Sequence, residues 1–124
     1  MKTFIVAIIL LISISASSFL LSAYSDERID EIINLTNQIR EENELNEKTR
    51  LCIDTAMKIW EKNEKLFHIT IDRSDMIVVK KEIAGAIGAT RGNSNENFLV
   101  AAEKLAITLD NIKGYTKLRP ENIF

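Results

Sequence analysis

One proline and four glycines in 124 residues leave little of the punctuation that sheets and long loops require, so helices are favoured from the outset. A single cysteine, Cys52, excludes an internal disulfide framework, and it lies too far along the chain to carry a lipid near the N-terminus. A single histidine, His68, excludes a histidine pair for holding a metal or for sharing acid and base work. Gly85, Gly88 and Gly92 lack the Lys-Ser/Thr ending of a phosphate loop and are expected to serve close helix packing instead. With 16 Lys+Arg against 18 Asp+Glu, net −2, there is no basic surplus to engage nucleic acid.

Charge is also missing from one whole segment. Between Lys2 and Asp26 the chain carries no charged residue, and Thr3 to Ser25 is dominated by Ile, Leu, Val, Phe and Ala. A helix of about 22 residues rises roughly 33 Å, enough to cross the hydrocarbon core of a bilayer. Residues 1–25 therefore read as a signal anchor or transmembrane helix, and 26–124 as one extracytoplasmic helical domain. Lys2 and the amino terminus are expected to stay inside, and the acidic flank Ser25-Asp26-Glu27-Arg28 outside, giving a single-pass protein of the cytoplasmic membrane. The competing reading is a cleaved signal peptide, with Ala16-Ser17-Ser18 as the small-residue site and a secreted product. Phe19-Leu20-Leu21 resumes the apolar character beyond that point, which a spanning helix needs and a signal peptide does not.

After the anchor, Ile29, Ile32, Ile33, Thr36 and Ile39 recur at helical spacing, so the first helix is expected to continue unbroken to about Glu42. Glu41-Glu42-Asn43-Glu44 interrupts the stripe. Leu45, Thr49, Cys52, Ala56, Ile59 and Trp60 then form a second helix, beginning between Asn43 and Asn46. Leu66, Ile69, Met76, Val79, Ile83, Ala86 and Ile87 make a third stripe; Phe67 to Ile71 is locally strand-like in its β-branched alternation but reads as helix, or as the lead-in to a helix starting near Asp72 or Ser74. Arg91-Gly92-Asn93-Ser94-Asn95-Glu96 is a turn, with Gly92 ending one helix and Asn or Ser capping the next. A fourth stripe runs from Phe98 to Ile112, and Gly114 is expected to stop it. Pro120 bars regular helix in the tail, whose Ile123 and Phe124 are expected to dock on the core. The fold expected is all-α, an N-terminal transmembrane helix followed by an up-down antiparallel helical bundle with a docked C-terminal tail.

The residues that carry chemistry elsewhere have plainer uses here. Cys52 lies on an apolar stripe with no basic neighbour in the pattern, which makes it a small core residue rather than a nucleophile; pairing between two copies is the alternative. Glu41, Glu42, Glu44 and Glu47 could gather a cation, but they lack the spacing of a calcium loop. Asp72, Arg73, Asp75, Lys80, Lys81 and Glu82 read as intrahelical pairing. Trp60 is expected at the centre of the bundle, with Cys52, Ala56, Met76, Val79, Ile83, Leu105 and Leu109 around it. No catalytic, cofactor-binding or metal-binding residue is assigned.

An apolar anchor, Trp60 closing the second helix, the stretch Phe67-His68-Ile69-Thr70-Ile71-Asp72-Arg73-Ser74-Asp75 and the ending Pro120-Glu121-Asn122-Ile123-Phe124 occur here in that order. In this order of parts the chain resembles a family of small uncharacterised membrane-anchored helical proteins of Gram-positive spore-forming bacteria, defined as a domain of unknown function. The family pattern has a histidine after the Ile-Asp pair, where this chain has Arg73, so no role for that histidine carries over. The resemblance implies membrane location and association with a larger membrane protein. Together these readings point to a non-enzymatic protein that contacts lipid through its first helix and docks a membrane protein or a second copy of itself. The alternative is a ligand- or cation-binding helical module, secreted or anchored.

Overall fold

The computed structural model describes the backbone of residues 1–116 and the side chains of residues 1–113. Within them the chain is all-helical: α1 (Lys2–Glu42), α2 (Glu47–Lys62), α3 (Glu64–Thr70), α4 (Arg73–Arg91) and α5 (Asn95–Thr116). The expected docking of Ile123 and Phe124 lies outside the described residues.

Helix α1 has 41 residues and contains neither glycine nor proline, so nothing in it interrupts the ladder of backbone hydrogen bonds. At 1.5 Å per residue it is about 60 Å long. It stops where Asn43 turns left-handed, at φ 52°, and returns its N–H to the Ile39 carbonyl at 2.9 Å. Helix α2 then starts from a reciprocal cap. The Asn46 side chain accepts from the Thr49 N–H at 2.9 Å while the Thr49 hydroxyl accepts from the Asn46 N–H at 2.9 Å. Such a capping box contributes about 1 kcal/mol and fixes where the returning helix begins.

Four helices, α1, α2, α4 and α5, pack around one core as an antiparallel bundle, and α3 closes one end of it. Arg40 on α1 makes a two-pronged bond to Glu103 on α5, at 2.9 and 2.8 Å, while Asp30 on α1 pairs with Lys113 on α5. The partners run in opposite order along the two helices, and ten residues separate the pairs on each, so the two ion pairs define the antiparallel register. At the end remote from α3, the Leu45 N–H donates to Asn95 Oδ1 at 2.6 Å and Arg50 donates to Asn93, joining the α1–α2 turn to the α4–α5 turn. The core is filled by Ile29 and Ile32 of α1, Ile53 of α2, Ile83 of α4 and Leu105 and Leu109 of α5, all fully buried. Trp60 is fully buried and stacks on Phe67 of α3, with ring centroids 4.7 Å apart and planes at 29°.

Three expectations are corrected. The third stripe is two helices rather than one continuous run: α4 begins at Arg73, at the helix start expected near Asp72 or Ser74, and Ile71 (φ −122°, ψ 142°) and Asp72 (φ −59°, ψ 138°) are extended and reset the helical phase. Projecting the Met76–Val79–Ile83 face backwards would bury Leu66 and Ile69, but after the reset Phe67 and Ile71 enter the core and Ile69 is left 72% exposed. As expected, Gly92 ends α4, at φ −86°, and the residue after it, Asn93, is left-handed at φ 53°, with the Ser94 N–H reaching back to the Ala89 carbonyl at 2.9 Å. Secondly, helix α5 runs through Gly114 to Thr116 rather than stopping there. Thirdly, Gly85 and Gly88 are exposed and a Cβ at either position would meet nothing within 4 Å, so close packing does not explain them.

Because both glycines sit in open space at ordinary helical angles, replacing them removes backbone freedom from the unfolded chain without creating a clash. Gly85→Ala and Gly88→Ala should each stabilise the bundle by about 0.5–1 kcal/mol, read as a raised Tm in thermal unfolding. A lowered Tm for either variant would show that something packs on that face.

Candidate functional site

The end of the bundle closed by α3 is also the end from which the apolar half of α1 emerges. An 18-residue window of α1 has mean hydropathy 2.7 and none of it is buried within the protein, so by length and composition this helix can cross a membrane. The change to a packed helix is abrupt. Tyr24 is 46% exposed, whereas the next residue, Ser25, is fully buried, and its hydroxyl is 2.7 Å from the Thr70 hydroxyl of α3. This contact fixes the height of α3 relative to the point where the apolar segment ends.

Two grooves open at this end. The first, of about 170 Å³ between α1 and α2, is lined by Tyr24, Arg28, Glu31, Lys58, Lys62 and Asn63, among others. Arg28 lies over the Tyr24 ring, 4.8 Å from its centroid, and its Nη2 contacts Glu31 at 3.0 Å and Glu27 at 3.5 Å. Its Nε–H is shut off from solvent without an acceptor. Asn63 is held in place by donating from Nδ2 to the Ile59 carbonyl at 2.8 Å. The second groove, of about 240 Å³, lies over Trp60 and is lined by Glu64, His68, Arg73, Met76 and Lys80 from α3 and α4. Glu64 and Lys80 form an ion pair across it at 3.3 Å, and the buried Trp60 Nε1–H has no acceptor. His68 is exposed on the rim of this groove.

The residues weighed in the sequence fall elsewhere. Cys52 is buried midway along α2, with its thiol 3.7 Å from Gln38 Oε1. Burial pushes this thiol above its usual range, with Lys48 pulling the other way, so the thiolate that a nucleophile requires is disfavoured. The acidic corner is spent on structure: Lys48 bonds Glu42 at 3.0 Å and holds that carboxyl below the usual carboxylate range, and Asn46 Nδ2 donates to Glu42 at 3.1 Å and Glu44 at 3.3 Å. Among the described residues no group of three or more His, Cys, Asp or Glu is arranged to hold a metal ion. What sequence reasoning missed is the basic groove. Its visible trace is Lys58 and Lys62, one turn apart on α2, but Arg28 joins them only through the packing of α1 on α2.

No family model, curated protein or solved structure matches the chain.

The raised thiol value carries a sign. The folded state holds the Cys52 proton more tightly than the unfolded state does, so the associated stability is fully present below the unfolded thiol value of about 8.5 and is lost as pH rises beyond it. In the folded chain at pH 8, Cys52 should react with a disulfide reagent roughly tenfold or more slowly than in urea. Equal rates would place the thiol at the surface.

Proposed function

We propose that this chain is a single-pass membrane protein whose helical domain stands directly on the outer face of the cytoplasmic membrane and serves, without enzymatic activity, as a structural or docking partner of another membrane protein or of a second copy. The observation that carries this reading is the continuity of α1: an unburied apolar half passes into a packed half within one residue, without a linker. A cleavable leader has no need of such a join, because everything before Ser18 would be discarded. Lys2 inside and Asp26-Glu27 outside give the orientation. Membership of the membrane-anchored family that the chain resembles belongs to the same proposal.

Docking is supported by apolar residues that the bundle leaves outside its core. Val100 and Ile107, two turns apart on α5, are 48% and 52% exposed, and Leu51 on α2 is 66% exposed. The second reading, a ligand-binding module, draws on the groove over Trp60, where a buried indole N–H faces no acceptor. At about 240 Å³ that groove is smaller than the roughly 300–1,000 Å³ of ordinary small-molecule sites.

The full chain expressed in cells should stay with the membrane after alkaline carbonate extraction, and its intact mass should include residues 1–25. Crosslinking in intact cells should then capture a membrane protein or a dimer. A soluble product beginning near Ser18 or Phe19 would overturn the anchor, and recovery of neither species would overturn the docking role.

A further inference from the structure

We propose that the groove between α1 and α2 is a binding site for the phosphate of an anionic phospholipid headgroup, an inference that rests on α1 being anchored in the membrane. Three cationic side chains, Arg28, Lys58 and Lys62, line this groove with one carboxylate, Glu31. Lys58 and Lys62 are a single turn apart on the exposed side of α2, so their stems leave the helix on the same face. Neither has an ion-pair partner among the described residues. Arg40, Lys48, Lys80 and Lys113 are each answered by a carboxylate, whereas Lys65, Lys81 and Lys104 also lack one among the described residues; what distinguishes Lys58 and Lys62 is that they share a groove with Arg28. Glu31 does not supply the missing charge, because it is already engaged by Arg28 at 3.0 Å.

The position of the groove decides the class of anion. Tyr24, which marks the end of the apolar segment, is one of its walls, and the Arg28 guanidinium is stacked on that ring. Headgroup phosphates lie just outside the hydrocarbon edge, where an interfacial tyrosine belongs. Lys58 and Lys62 have stems long enough to lean along apolar surface and deliver their ammonium groups to that level. The Arg28 guanidinium uses only Nη2 in its ion pairs, so its other terminal nitrogen is left to donate to a phosphate. About 170 Å³ gives room for a phosphate and its ester oxygens but not for a nucleotide. A charged groove at this height meets lipid phosphates at far higher local concentration than phosphate in solution. The site would also fix the rotation of the bundle about α1.

The full chain, reconstituted in nanodiscs containing phosphatidylglycerol and phosphatidylcholine, is released and its retained lipids are counted by native mass spectrometry. Phosphatidylglycerol should be retained in preference, and the preference should fall about fivefold for either Lys58→Gln or Lys62→Gln and roughly thirtyfold for the double variant. Lys81→Gln, on the exposed face of α4, should leave it unchanged. Excess inorganic phosphate should not release the lipid; if it does, the groove is a site for a soluble anion and the lipid assignment falls. Equal retention of the two lipids, or no effect of the double variant, overturns the site while leaving the anchor intact. A chain that does not enter nanodiscs at all overturns the anchor and this site with it.

Discussion

Everything in this molecule hangs on the unbroken backbone ladder of α1. In hydrocarbon a peptide group has no water to turn to, so in the membrane proposed for it the apolar half of α1 would satisfy its hydrogen bonds internally, which helix does residue by residue. The same ladder continues past Tyr24 into the bundle, where Ile29, Ile32 and Ile39 are fully or almost fully buried. A hinge at the join would expose orphan N–H and C=O groups at a helix end on either side of it. With no glycine or proline to favour one, the bundle is an extension of the apolar half of α1 rather than cargo on a tether.

From that constraint the geometry of the base follows. Helix α2 returns toward the apolar half of α1, and the chain must reverse again before α4 can run back along the bundle. It does so through α3, which is pinned to α1 by the Ser25–Thr70 hydroxyl pair and to the core by Phe67 stacked under Trp60. Two extended residues, Ile71 and Asp72, then allow α4 to start in its own phase. The price is an exposed Ile69 and a buried indole N–H without an acceptor. Both lie at the end from which the apolar half of α1 emerges, and so does the basic groove. Along the bundle, the Arg40–Glu103 and Asp30–Lys113 pairs hold α5 in register on α1.

Most of the helical architecture was legible in the sequence. The interruption at Glu41 to Glu44 marked the first turn because three glutamates and an asparagine cannot extend an apolar stripe. Trp60, Cys52, Ala56, Met76, Val79, Ile83, Leu105 and Leu109 were readable as core from spacing alone, and all are buried. Ile53 was not, since it lies beside the stripe and is buried only because α2 has neighbours on two sides. The split of the third stripe was hidden for a different reason. Neither Ile71 nor Asp72 is a strong breaker, so the β-branched run Ile69-Thr70-Ile71 and the cap candidates Asp72 and Ser74 suggested a helix start there without showing that the phase changes. Gly85 and Gly88 misled because a glycine in a helix reads the same whether a neighbour packs on it or water does. The basic groove draws Arg28 and Lys58 from helices whose contact no local pattern encodes.

The direct test of a rigid, continuous α1 is amide hydrogen exchange on the full chain in lipid nanodiscs, followed residue by residue from Leu20 to Ile32. One continuous helix gives protection that passes through Ser22, Tyr24 and Asp26 without a gap, falling only gradually from the lipid side to the bundle side. Fast exchange confined to Ser22 to Asp26, flanked by protected residues on both sides, would reveal a hinge at the membrane edge and contradict the account.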